Sequence, residues 1–253
     1  MTHAPLDPGT LDGRRAVVTG SSRGIGAATA RLLAGAGAEV YVNYRSKAPR
    51  AEKLVAEIAA AGGTAHAVGA DLTDPESVAG FAARVAEGGP LDVLVLNASG
   101  GMEAGMGEDY AMRLNRDAQV AFLSALRPLL GRGSRVVFVT SHQAHFIRTT
   151  PTMPEYEAVA LSKRAGEDAL RALIPELESD GIELVVVSGD MIEGTITATL
   201  LERANPGAIE SRRESAGKLY DVDEFAREVA LAAVEPVPAE HTRYVGDVSG
   251  FGA

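Results

Sequence analysis

Near-continuous runs of valine and leucine, each followed by an amphipathic stretch, recur along most of this 253-residue chain. Arg15 to Thr19, Glu39 to Tyr44, Thr64 to Val68, Leu91 to Leu96, Arg135 to Thr140 and Ile182 to Val187 read as six strands. Helical patterns fall over 24–36, 50–61, 75–87, roughly 108–130 and 155–178. Strands that are apolar on both sides must be covered on both faces, as in a parallel sheet between helix layers. Their alternation with helices implies right-handed crossovers, and so an α/β fold with a doubly wound, Rossmann-like parallel sheet. No linker, repeat or low-complexity stretch breaks the pattern, so residues 1–253 are expected to form one domain. Residues 191–220 are less regular, with Asn205-Pro206-Gly207 and Arg212-Arg213-Glu214, and are the expected place for a mobile lid.

Composition narrows the classes of function. A net charge of −10 argues against nucleic acid as a partner, because that binding needs a basic face. A local basic pocket can still accept a phosphorylated cofactor. With no cysteine there is no disulfide, iron–sulfur cluster or thiolate nucleophile. No run of about 18 apolar residues suggests a membrane span. Met1 to Pro8 has no apolar core and does not read as a signal peptide, so the expected location is cytoplasmic. No two histidines have helical ligand spacing with an acid beside them, and no metal site is expected.

Thr19-Gly20-Ser21-Ser22-Arg23-Gly24-Ile25-Gly26 lies between the first strand and the first helix. Glycines there allow a tight turn and let the backbone approach a pyrophosphate, while the helix N-terminus offers free N–H groups. A glycine-rich turn alone is often only a turn. Thr-Gly-x-x-x-Gly-Ile-Gly after a buried strand is more specific, and it resembles the short-chain dehydrogenase/reductase family. Asp71-Leu72 resembles the family's adenine-contacting pair, and Asn97-Ala98-Ser99-Gly100 its Asn-Asn-Ala-Gly. Asn115, in Arg-Leu-Asn-Arg, resembles the asparagine that supports the catalytic lysine through water. The resemblance spans about residues 11–200. It implies a nicotinamide cofactor held by Gly20, Ser22, Arg23, Gly24, Ile25 and Gly26, by Asp71, Leu72, Asn97, Ala98 and Ser99, and by Ser188 and Gly189 after the sixth strand. There Val187-Ser188-Gly189-Asp190 replaces the family's Pro-Gly.

The end of the second strand bears on the choice of cofactor. An acid there binds a ribose 2′-OH and repels a 2′-phosphate. This chain has Tyr44-Arg45-Ser46-Lys47, with no acid. Arg45 can fork onto a phosphate, Ser46 can donate, and Arg23 adds charge, so NADP(H) is expected over NAD(H). A solvated strand end is the plainer explanation of Arg45 and Lys47.

The resemblance also implies a serine that polarises a carbonyl, a tyrosine that supplies the proton, and a lysine one turn later. Ser141 and Lys163 match the serine and the lysine, but Val159 stands at the tyrosine position, four residues before Lys163. The 22-residue spacing from Ser141 to Lys163 is long for the family and suggests an enlarged loop over 142–155. Tyr156 is the nearest phenol. On one helix it lies about 10.5 Å along the axis from Lys163, too far for direct action by the ammonium. A catalytic Tyr156 would therefore fold back from a loop, with Pro154 marking the break. Other candidates are His142 and His145, or Asp190 or Glu193 held as a protonated acid. Ser141 with water, or a substrate's own hydroxyl, could also serve. The leading expectation is an NADPH-dependent reductase of a carbonyl compound, or the reverse dehydrogenase, with an atypical proton donor. The alternative is an NADP(H)-binding sensor without turnover.

Ala165, Ala169, Leu173 and Leu177 form a stripe at a spacing of four. The resemblance implies a homodimer or homotetramer through helices 108–130 and 155–178; packing on the sheet explains the stripe equally well. Specificity for a small-molecule substrate is expected in 99–110, 142–156 and 190–216, with Gly100, Gly101, Met102 and Met106 suggesting a pliable apolar wall.

Overall fold

The structure is a computed structural model that describes residues 6–102 and 109–252. Three strand–helix repeats and a fourth strand open the chain: β1 (Arg15–Val18), α1 (Gly24–Gly35), β2 (Glu39–Tyr44), α2 (Ala48–Ala60), β3 (Thr64–Gly69), α3 (Pro75–Ala86) and β4 (Leu91–Leu96). A composite helix follows: α4 (Tyr110–Met112) runs through a π-turn at Arg113–Asp117 into α5 (Ala118–Leu126). Beyond it come β5 (Leu130–Ser141), the short α6 (His142–His145), α7 (Pro154–Arg171), α8 (Ile174–Ser179) and β6 (Glu183–Gly189). The chain continues through α9 (Ile196–Ala204), α10 (Ala208–Ala216), α11 (Val222–Ala232) and β7 (Thr242–Val245).

The seven strands form one sheet in the order β3-β2-β1-β4-β5-β6-β7, with every pair parallel. The order reverses between β1 and β4, which opens a crevice at the carboxyl ends of those strands, where open α/β sheets bind ligands. Alternation along each strand decides which layer a residue joins. Ala16, Val18, Val93 and Val95 pack with α1, α2 and α11, whereas Val17, Leu94 and Leu96 pack with α3, α5 and α8. That two-sided burial is why the strands read as unbroken apolar runs. Across the second layer the Phe81 and Phe122 rings meet at 5.2 Å between centroids.

Several expectations need correction. The helix expected over 108–130 is broken: the π-turn interrupts it, and Arg127–Leu129 tightens into a 3₁₀ turn before β5. Pro128 explains the stop, because it cannot donate to the preceding turn. The irregular segment 191–220 holds two helices, and the last fifty residues add α11 and β7. In the expected stripe, Leu177 is buried in the sheet-facing core and Leu173 packs against it. Among the described residues no helix is long and apolar enough to cross a membrane. Met106 and the start of the helix expected at 108 lie outside the described residues.

Candidate active site

The glycine turn is fixed by its neighbours. Gly20 has φ +61°, and a Cβ there would stand 2.9 Å from Ala98 Cα. A Cβ at Gly26 would stand 2.6 Å from Asn97 Nδ2 and 2.8 Å from Gly20 O. Asn97 Nδ2 donates to Thr19 O (2.9 Å), and Thr19 Oγ1 accepts from the N–H groups of Asn97 and Ala98 (both 2.9 Å). Asn43, 2% exposed, accepts from Gly20 N (3.0 Å) and donates to Ala70 O (3.2 Å), so three strand ends are tied around the turn. A Cβ at Gly24 meets nothing within 4 Å, and Arg23 makes no side-chain cap on α1. Open backbone at an uncapped 12-residue helix fits a pyrophosphate.

Beside this cradle Arg45, Ser46 and Arg23 are exposed, and Tyr44 is half-buried against Gly69. Arg45 Nη1 donates to Tyr110 Oη, with the guanidinium 5.9 Å from the ring centroid. Leu72 is buried. Burial works to raise the Asp71 carboxyl, but bonds from the Thr73 hydroxyl and N–H, with the charges of Arg45 and Arg113, hold it below the usual carboxylate range. Ser99 is exposed.

At the carboxyl ends of β4, β5 and β6 the candidate reacting groups assemble. Asn115 lies in the π-turn, a distortion that recurs at functional sites. Its Nδ2 donates to Gly100 O (2.8 Å) and to Ser162 Oγ (2.9 Å), and Ser162 Oγ donates to Val159 O (2.8 Å). The Asn115 carbonyl lies where a Cβ on Gly166 would be, so only glycine lets α7 pack this close. Lys163, on the same helix, is 9% exposed and has no hydrogen-bond partner among the described residues.

Tyr156 reaches the site from within α7, not from a loop. The helix begins at Pro154, which serves as a starting residue and makes no break. Tyr156 is 4% exposed, and its Oη lies 3.1 Å from Ser141 Oγ. Two hydroxyls from distant elements thus converge at the end of β5. Val159, one turn on, is buried in the same apolar cluster as Tyr156 and Met191.

The other candidate donors are engaged elsewhere. His142 is fully buried; its Nδ1 lies 2.8 Å from Ser188 Oγ, and burial pushes its imidazole down to about 4. The serine that stands where the family has proline therefore bridges the ends of β5 and β6. His145 Nδ1 donates to the buried Glu167 (2.8 Å), while Nε2 accepts from Tyr244 Oη (3.0 Å). Asp190 accepts from Arg212 Nε (2.9 Å to both oxygens) and Nη2 (2.8 Å). Glu193 is paired with Arg213. Gly189 leaves room for the Phe225 ring, where a Cβ would collide. Among the described residues no cluster of His, Asp or Glu could hold a metal.

Sequence reasoning missed Asn43, Tyr110, Gly166 and Arg212. Each acts through a partner far along the chain, and no local spacing marks it.

Comparison with known proteins places the chain in a family. The short chain dehydrogenase family model matches residues 14–205. A short chain dehydrogenase/reductase of Aspergillus novofumigatus is 35% identical over 201 residues, 76% of this chain and 73% of that protein. The 1-cyclohexenylcarbonyl-CoA reductase of Streptomyces collinus is 34% identical over 201 residues, 76% of this chain and 69% of that protein. A short chain dehydrogenase from Burkholderia cenocepacia J2315, crystallised in complex with NADP, superposes with a TM-score of 0.79 at 31% identity, covering 96% of this chain and 100% of that one. The chain belongs to the short-chain dehydrogenase family and is an NAD(P)-dependent oxidoreductase of that family.

Proposed function

We propose that this protein reduces a carbonyl compound with NADPH, or runs the reverse alcohol oxidation, using Ser141 and Tyr156 as its reacting hydroxyls. The observation that carries the reading is the 3.1 Å approach of Ser141 Oγ and Tyr156 Oη. Two hydroxyls at that distance can both reach one substrate oxygen. A nicotinamide cofactor, when bound, would supply a hydride to the carbonyl carbon. Ser141 donates a hydrogen bond to the carbonyl oxygen, and Tyr156 gives that oxygen its proton. The phenolate then recovers a proton from water, because Lys163 sits two turns along α7. Lys163 holds the nicotinamide ribose, and Asn115 fixes Gly100 and Ser162 around it. Val159 leaves the family's tyrosine position apolar. The convergence of two hydroxyls favours turnover over a sensor, which needs neither group.

NADP(H) is preferred over NAD(H) in this reading. β2 ends without an acid, and the exposed Arg45, Ser46 and Arg23 would be open to a 2′-phosphate. The Burkholderia relative with bound NADP supports the same choice. The whole chain is one dinucleotide-binding domain that works as a homodimer or homotetramer through α5 and α7, where Leu161 is 49% exposed. A solution mass equal to the 26.3 kDa chain would exclude that assembly.

The direct test is deuterium transfer from C4-labelled NADPH into a cell extract, followed by mass spectrometry. A labelled alcohol that disappears with Lys163→Met and Ser141→Ala supports the proposal. Tight NADPH binding with no labelled product overturns it.

A further inference from the structure

The geometry points to Tyr110 as a positioning residue that holds Arg45 ready for the 2′-phosphate of the cofactor, an inference that rests on the NADP(H) reading above. Arg45 follows β2 on a surface where its neighbours Ser46 and Lys47 are also exposed. A long side chain in that setting samples many rotamers, and ordering it on binding costs affinity. Here its guanidinium is already tied down. Nη1 donates to Tyr110 Oη, and the plane lies 5.9 Å from the Tyr110 ring centroid, within reach of a cation–π attraction.

The anchor itself is packed in place. Tyr110 is 6% exposed and belongs to the apolar layer with Phe81, Leu114 and Phe122. Asp71, held as a carboxylate by Thr73, adds its charge beside Arg45. With one N–H on Tyr110, the remaining guanidinium donors can fork onto a phosphate. Tyr110 also begins the helical run that leads through the π-turn to Asn115. The residue that sets the arginine and the residue that braces the reacting end therefore share one element.

Calorimetry with two probes tests this without relying on turnover: adenosine 2′,5′-bisphosphate, which carries the 2′-phosphate, and adenosine 5′-monophosphate, which does not. In Tyr110→Phe the bisphosphate should bind about five- to tenfold more weakly, the cost of ordering one long side chain that Tyr110 no longer holds, with the monophosphate unchanged within about twofold. Arg45→Ala should erase the difference between the probes, and Tyr110→Phe in that background should add nothing. If Tyr110→Phe leaves bisphosphate binding unchanged or tightens it, or weakens both probes equally, Tyr110 does not position Arg45. If Arg45→Ala leaves the bisphosphate preference intact, the NADP(H) reading of Arg45 fails instead.

Discussion

The cofactor cradle and the reacting end stand at the same edge of one sheet, but they are specified differently. The cradle is largely a backbone object. Gly20 and Gly26 clear space, Gly24 takes a φ of +56°, Thr19 and Asn97 lock the turn, and α1 presents uncapped N–H groups. The reacting end is a side-chain object, drawn from β5, α7 and the π-turn. A backbone cradle tolerates little change, because a Cβ at Gly20 or Gly26 would collide with its neighbours and Gly24 holds a positive φ. A side-chain site is set by which hydroxyls reach one another, as Tyr156 Oη reaches Ser141 Oγ at 3.1 Å.

The largest expected effect falls on the reacting end. Tyr156→Phe should lower kcat by about 10²–10⁴-fold while NADPH affinity, measured by fluorescence titration, stays within about twofold. Equal losses in both would place Tyr156 in the cradle's support and blur the contrast.

Next comes the bridge between β5 and β6. His142 has a folded pKa depressed to about 4 from an ordinary 6.5, because burial disfavours the cation, with nearby His145 and Arg212 adding to the effect and Asp190 opposing it. The unfolded chain therefore binds the proton first as pH falls. Stability from this group is complete above about pH 6.5 and is lost between there and about pH 4, on the order of 3 kcal/mol. Urea unfolding across that range should show the loss, and His142→Phe should flatten the dependence. An unchanged slope would remove the imidazole from the account.

A smaller effect is expected in the cradle. Gly26→Ala puts a methyl against Asn97 Nδ2 and Gly20 O and should cost about 1–3 kcal/mol in stability. Dinucleotide affinity should fall roughly tenfold or more, a loss of about 1.4 kcal/mol. If the alanine variant binds NADPH normally, the turn is looser than its contacts indicate.

The same contrast explains what the sequence revealed. The strands were legible because two-sided burial writes apolar runs such as Leu-Asp-Val-Leu-Val-Leu at β4. The glycine turn was legible because its constraints fall within eight consecutive residues. β7, with the four residues Thr-Arg-Tyr-Val, is too short and polar to stand out, and α10 buries no residue that could mark a face. Spacing along α7 gives the Tyr156–Lys163 separation but is silent on Tyr156 and Ser141, which meet only after α7 docks against β5. The Arg45–Tyr110 contact joins residues 65 apart and has no local trace.

The most direct test of the central claim is a double-mutant cycle on Ser141→Ala and Tyr156→Phe, read as the single-turnover rate of deuterium transfer from bound, C4-labelled NADPH. If both hydroxyls act on one oxygen, the pair works as a unit, and the double variant should be no slower than about twofold below Tyr156→Phe alone. Losses that multiply across the two sites would contradict a shared reacting oxygen.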